Sequence, residues 1–291
     1  MMEGMAHSDR SFFTRLSTWA GAVAMAVTGV VTGVGAVAAA PPYPVVTDAG
    51  VASVTGDLQP AQMSPPGSNV PGCRSERVPV VLLHGTAQNQ MSAWQYLAPT
   101  LATRGFCVYS LTYGQTSWSA QIGGLAQRET SAKQVGAFVD GVLRRTGARQ
   151  VDLIGFSQGN AVAQLMTQLP GRAAQVRHLI GLGPSNKGVS KLGSITDRLP
   201  ARAPGENDWG PTHPAIEYTM IMTRHDEVSA PYSNGFLPAA ANVRNVVVQD
   251  HCPRDTVGHV GLPYDSWVGG QVRNTLAGTR TPVRCTVGYP L

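Results

Sequence analysis

From about residue 79 onward, short unbroken apolar runs alternate with stretches of helical spacing. Pro79-Val80-Val81-Leu82-Leu83 is one such run, the pattern of a strand covered on both faces. Cys107 to Leu111 predicts a second strand. Between them, Ser92 to Thr103 carries Trp94, Leu97 and Leu101 at helical spacing. Glu129 to Arg145 predicts a long helix, with Val135, Phe138, Val139, Val142 and Leu143 on one face and Gly147 as its stop. Val151 to Phe156, Val176 to Leu182, Tyr218 to Thr223 and Val243 to Gln249 predict further strands, and Asp265 to Leu276 a closing helix. Strands alternating with helices predict an α/β domain: a mostly parallel central sheet with helices on both faces. The segment at about 185–213 breaks the alternation. It is long, polar and rich in Gly and Pro, with a short helical pattern near Ser190 to Arg198, and it predicts a small lid insertion over a site.

Upstream the pattern changes. Residues 1–39 open with Arg10 and Arg15, continue through the uncharged apolar stretch Trp19 to Val37, and reach Ala36-Val37-Ala38. That is the layout of a secretory signal peptide, with cleavage expected after about Ala38 and the mature protein extracellular. An uncleaved membrane anchor is the alternative, since the stretch is nearly long enough to span. Residues 40–71 are rich in Pro, Ala, Ser and Gly and read as a linker or a loosely attached arm. Residues 72–291 suit one catalytic-sized domain.

The chain has four cysteines, Cys73, Cys107, Cys252 and Cys285, all in the exported part. An even count behind a signal peptide predicts two disulfides, and four cysteines allow three pairings. Cys73–Cys107 with Cys252–Cys285 staples each end of the domain locally. A zinc site is the rival, but no C-x-x-C pair exists. The net charge is +5 with only 13% of residues charged, and Arg144-Arg145 is the only adjacent basic pair. No nucleic-acid stripe is present. The small positive excess favours, weakly, an anionic lipid surface.

Candidate chemistry centres on Ser157, in Gly155-Phe156-Ser157-Gln158-Gly159. With 33 glycines in 291 residues, about 0.2 matches to G-x-S-x-G arise by chance, so the pentapeptide alone decides little. Its context decides more. The buried strand Val151 to Phe156 runs into it, and Val162, Leu165 and Met166 follow at helical spacing. A serine hydroxyl needs a base within hydrogen-bond reach, and the base needs a carboxylate to hold its tautomer. In open α/β sheets such groups sit past the carboxyl ends of strands. Among the downstream acids, Asp226 follows the strand Tyr218 to Thr223 by a short turn, and Glu227 is second. Among the histidines, His178 lies in a strand and His213 and His225 in polar loops. His259, between Gly258 and Gly261 after the last strand and before the closing helix, is the expected base, with His251 second. The backbone N–H of Gln158 and a donor from Thr86, in the loop after the first strand, are the expected oxyanion hole.

At these residues the chain resembles a known family. Pro79 through Gly85, Gly155 through Gly159, Tyr218 through Asp226-Glu227-Val228, and Gly258-His259 look like the secreted bacterial class 2 lipases. The threonine after Gly85, the glutamine after Ser157 and the two cysteine pairs are also similar to the fungal lipase B type. The resemblance spans about Cys73 to Leu291, except for the segment at 185–213. It implies the α/β-hydrolase fold, a triad of Ser157, Asp226 and His259, oxyanion donors at Thr86 and Gln158, the two disulfides named above, and hydrolysis of carboxylic esters.

Function follows as an expectation: a secreted lipase or esterase acting on triacylglycerol-type or smaller esters through an acyl-enzyme. No cofactor is implied, and no catalytic metal, since H-E-x-x-H is absent. A monomer is expected, with transient contact at a lipid–water interface and no nucleic-acid partner. Tyr113, Trp118, Ile122 and Leu125 line either an acyl groove or ordinary core, and Leu192, Ile195 and Leu199 face either an acyl chain or the domain. An acyltransferase or polyester depolymerase on the same triad, and a non-catalytic adhesin or binding module on the same fold, are the alternatives.

Overall fold

The structure, a computed structural model, describes residues 43–187 and 209–290. The expected signal peptide at 1–39 lies outside them, as does most of the expected lid, residues 188–208.

Six strands form one sheet: β1 (Val80–Leu83), β2 (Val108–Leu111), β3 (Val151–Phe156), β4 (Val176–Leu182), β5 (Glu217–Met222) and β6 (Val243–Val247). Their order is β2-β1-β3-β4-β5-β6 and every pairing is parallel. The α-helices among the described residues are α1 (Ala49–Asp57), α2 (Gln90–Trp94), α3 (Leu97–Ala102), α4 (Arg128–Thr146), α5 (Gln158–Gln168), α6 (Val248–His251) and α7 (Ser266–Ala277).

Successive strand side chains point to opposite faces, and the two cores divide accordingly. Val80 and Leu82 of β1 and Ile154 and Phe156 of β3 pack with Ala93, Trp94, Leu97, Trp267 and Val272 from α2, α3 and α7. Val81 and Leu83 of β1 and Val151 and Leu153 of β3 pack with Val135, Val139, Val142, Val162 and Met166 from α4 and α5. This is why the strands read as unbroken apolar runs: neither face meets water. The chain winds outward from β1 to β2, then returns past β1 to begin β3. The carboxyl ends of β1 and β3 therefore flank the switch point at which such sheets hold their sites.

Three expectations are revised. The helix expected over Ser92 to Thr103 is two helices, α2 and α3. Pro99 has no N–H to give to the carbonyl of Gln95, and that carbonyl instead accepts Val46 N–H at 3.1 Å. The last strand stops at Val247, where α6 begins. Residues 43–71, expected as a linker or loose arm, are packed. Ala49, Ala52 and Gly56 of α1 are buried, Gln95 Nε2 donates to Ala52 O at 2.9 Å and Asn89 Nδ2 to Gly56 O at 2.9 Å. A segment low in large apolar residues can still dock when its small residues let backbones approach and its carbonyls find donors.

Cys73 is bonded to Cys107 and Cys252 to Cys285, with sequence separations of 34 and 33. The first ties the end of the arm to the start of β2. The second ties the C-terminal strap, residues 279–290, to the segment after α6. Each closes a loop whose entropy in the unfolded chain is worth up to about 4 kcal/mol. Reduction with a non-thiol reductant is therefore expected to lower the unfolding midpoint by several degrees or more in scanning calorimetry; an unchanged midpoint would count against both bridges.

Candidate active site

Ser157 ends β3 and begins α5 at φ 50°, ψ −118°. A non-glycine residue in that region is strained by about 1–3 kcal/mol. The strain follows from crowding. A Cβ on Gly159 would lie 2.2 Å from Leu83 O, and one on Gly155 would lie 2.4 Å from Asn160 N. The first turn of α5 thus lies almost on the end of β1, and only glycines at both positions permit it. Ser157 N–H donates to Leu182 O at 2.9 Å, which seats the turn on β4.

Asp226 and His259 are brought together. His259 Nδ1 lies 3.0 and 2.9 Å from the two carboxylate oxygens of Asp226. The carboxylate accepts, so Nδ1 carries the proton and Nε2 is left to accept one. Both residues are buried. Asp226 Oδ1 also accepts the N–H groups of Val228 at 3.0 Å and Ser229 at 2.6 Å, which fixes the carboxylate in its turn. The imidazole lies beside the serine turn: the Phe156 ring is 5.1 Å from it, and a Cβ on Gly183 would meet its Cε1 at 3.0 Å. Among the described contacts, no hydrogen bond joins Ser157 Oγ to His259; such bonds often tighten only when substrate is bound.

The loop that carries His259 is held from several sides. Its own N–H donates to Glu227 Oε2 at 2.9 Å, so the acid placed second in the sequence holds the backbone of His259, while Asp226 meets the ring. Gly258 N–H donates to Tyr289 O at 2.9 Å, and Thr223 Oγ1 donates to Val257 O at 2.6 Å. The strap stapled by Cys285 therefore holds the residue that precedes His259. Of the other histidines weighed, His251 stacks on Trp267 at 5.3 Å, His178 faces Asp152 at 3.5 Å, and His213 Nδ1 accepts Ala215 N–H, whereas the backbone of His225, next to Asp226, bridges to Gly258.

Thr86 and Gln158 both lie against Gly124, where an added Cβ would be 3.1 Å from Thr86 Cα and 3.1 Å from the Gln158 side-chain Oε1. The Thr86 loop is locked by a residue the sequence reading did not single out. His84 Nδ1–H donates to Gly85 O at 2.8 Å, and its Nε2 accepts Tyr113 N–H at 3.2 Å. Tyr113 O–H donates to His84 O at 2.6 Å, and the rings stack at 4.3 Å. Complete burial pushes His84 down to about 4, so it is a neutral wedge near pH 7. Of the residues weighed for an acyl groove, Tyr113 is thus buried core, Trp118 is exposed, and Ile122 and Leu125 are half-buried. A further cleft of about 380 Å³, lined by Cys73, Arg77, Pro79 and Gln150, opens at the amino ends of β1 and β3, away from these groups.

Residues 77–182 match the family described as Lipase (class 2), a segment that contains Thr86, Ser157 and Gln158 and ends before Asp226 and His259. A structure of the metagenome-derived lipolytic enzymes LipS and LipT aligns at 16% identity and a TM-score of 0.50, covering 74% of this chain and 98% of that one. This chain has the α/β-hydrolase fold and resembles the class 2 lipases. Aspergillus fumigatus lipase B aligns at 16% identity and a TM-score of 0.49 over 72% of this chain, which spans only 55% of that lipase. Bacillus licheniformis lipase BlEst2 aligns at 13% identity and 0.49, covering 75% of this chain and 96% of that one. No curated protein matches the chain. The family match supports a hydrolase of the lipase and esterase type.

Two buried acids of this α/β hydrolase, Asp255 and Asp265, meet the C-terminal strap at Gly288. Asp255 Oδ1 accepts Val257 and Gly288 N–H groups, and Asp265 Oδ1 caps α7 by accepting Val268 N–H at 2.8 Å. The Oδ2 atom of each is buried without a hydrogen-bond partner. A Cβ on Gly288 would touch both side chains, at 2.5 and 3.0 Å. Burial raises the Asp265 carboxyl to about 6, and the charge of Asp255 adds to the rise. A raised carboxyl stabilises the fold at low pH, and that contribution is lost as pH climbs from about 4 through about 6. Asp265→Asn keeps the cap and is always neutral. Its unfolding midpoint is expected to fall less than that of wild type across this window; parallel pH profiles would refute the raised acid.

Proposed function

We propose that this protein is a secreted serine hydrolase that cleaves carboxylic esters of lipids, triacylglycerols among them, through an acyl-enzyme. The observation that carries the reading is the buried Asp226–His259 pair beside the strained turn of Ser157. In this reading, Ser157 Oγ attacks the ester carbonyl while His259 Nε2 takes its proton. Asp226 stabilises the imidazolium without itself being protonated. The backbone N–H of Gln158, at the positive end of α5, and a donor from Thr86 stabilise the alkoxide. The intermediate collapses, the C–O bond to the alcohol breaks, and His259 returns the proton to the leaving alkoxide. Water then attacks the acyl-serine, with His259 again as base, and releases the carboxylic acid and the free serine.

The His84–Tyr113 lock supports the oxyanion role, because a donor worth several kcal/mol in the transition state must be set before charge develops. Export is supported by the arrangement of residues 1–39 and by the two cystines, which suit an oxidising compartment.

Ser157→Ala is expected to lower kcat/KM for p-nitrophenyl esters by about 10³-fold or more and to abolish fluorophosphonate labelling, with the fold retained. Turnover retained by that variant would sink the assignment. Asp226→Asn is expected to lower kcat by about 10⁴-fold, whereas Glu227→Gln, which keeps an acceptor for His259 N–H, should cost less than about tenfold. The reverse order would move the acid to Glu227.

A further inference from the structure

The arm is built onto the rim of the candidate site. Its carbonyls are held by side chains from the segments that follow β1 and β2. Asn89 donates to Gly56 O at 2.9 Å, Gln90 and Thr112 to Ala61 O at 2.8 and 2.7 Å, and Gln121 to Asp57 O at 3.0 Å. Asn89 and Gln90 lie three and four positions after Thr86. Gln121 belongs to the same loop as Gly123, whose N–H donates to Gln88 O at 2.7 Å. Arm, Trp118 loop and Thr86 loop are thus one hydrogen-bonded body.

This body turns apolar side chains outward. Ala49, Ala52 and Gly56 face inward on α1, which leaves Val51, Val54 and Leu58 outside. The last two are 67% and 73% exposed, and Met63 is also exposed. Trp118 is 72% exposed, and the loop that carries it is braced from within: Ser119 Oγ–H donates to Ile122 O at 2.7 Å, and Thr116 N–H donates to Ser119 Oγ at 2.9 Å. Of the seven exposed large apolar side chains among the described residues, five are these.

The surroundings are nearly free of charge. Residues 112–127 contain no Asp, Glu, Lys, Arg or His, and residues 43–72 contain only Asp48 and Asp57. Asp48 is committed to capping α1, and Asp57 is half-buried. Residues 78–103 contain no acid, Lys or Arg, and their one histidine is buried His84. The basic residues Arg74, Arg77 and Arg149 line the cleft at the opposite end of the sheet. A large protein or nucleic-acid partner that binds by charge finds no complement here. A surface of uncharged ester lipid does, because it offers apolar area and asks for no ion pairs.

We infer that the packed arm and the Trp118 loop form a docking surface for an uncharged lipid aggregate, seated beside Thr86 so that the site mouth opens at the lipid. The inference rests on reading the site as one that cleaves lipid esters. Docking rides on hydrophobic burial, so it is insensitive to salt, and the small net positive charge of the chain plays no part in it.

The test uses the full chain carrying Ser157→Ala, so that docking is read without turnover and a failure of the catalytic assignment stays separate. The emission of Trp118, taken as the difference between this protein and the same protein with Trp118→Phe, is followed during titration with phosphatidylcholine vesicles. A blue shift is expected, unchanged by added salt and no stronger with phosphatidylglycerol in the vesicles. The double substitution V54S/L58S, with an unaltered unfolding midpoint, is expected to raise the half-saturating lipid concentration about tenfold. Three outcomes would overturn the proposal: a Trp118 that stays in water while the chain binds through its apolar leader, a shift that needs anionic lipid or vanishes with salt, or light scattering in which V54S/L58S converts a dimer to a monomer, which would assign the patch to a second copy.

Discussion

Among the described glycines, the tightest surroundings are those of Gly159, where the first turn of α5 meets the last carbonyls of β1. A single methyl at position 159 would sit 2.2 Å from Leu83 O. That contact forces the chain between β3 and α5 through a turn too tight for relaxed geometry, and Ser157 takes the strained position. The apolar sheet core absorbs the cost, since β3 is buried along its whole length between two helical layers. A looser turn would relax the serine but move Gln158 N–H and the helix end away from the β1 loop. The strain and the candidate oxyanion hole have one cause.

Around that fixed point the polar groups are held by other elements, none of them by its own segment alone. The imidazole of His259 depends on Asp226 for its tautomer, on Glu227 for its backbone, and on Tyr289 of the strap for its loop. The strap is in turn held by the Cys252–Cys285 bridge. The bridge acts on the site through this chain of contacts, beyond its effect on the entropy of the unfolded state. The two unpartnered carboxylate oxygens of Asp255 and Asp265 lie within the same support. The acids packed against the strap therefore sit in a medium where protonation and packing are coupled.

The arm shows how a segment that looks like a spacer becomes structural. It contributes few large core side chains. Its backbone carbonyls take the amide donors of Asn89, Gln90 and Gln121, which would otherwise face a buried rim unpaired. What is left over is an apolar ridge with no interior to join. It lies beside the site, while Arg74, Arg77 and Arg149 line a cleft at the far end of the sheet.

Local pattern determined much of this. Unbroken apolar runs located the strands, because a strand covered on both faces has no polar positions to show. The long helix is marked by its apolar stripe and by Gly147, whose φ of 73° suits a helix stop. Chain order past the strand ends pointed to Asp226 and His259, and the structure sets the two in contact. The packed arm, the division of Ser92 to Thr103 into two helices, the anchoring role of Glu227 and the His84–Tyr113 lock were decided only by tertiary structure. Each depends on a partner distant along the chain: Val46 for the carbonyl of Gln95, Asn89 for that of Gly56, Tyr113 for the ring of His84. A sequence displays which side chains recur on one face, because that is a property of neighbours. It does not display which buried donor meets which carbonyl, because that pairing exists only once the layers have closed.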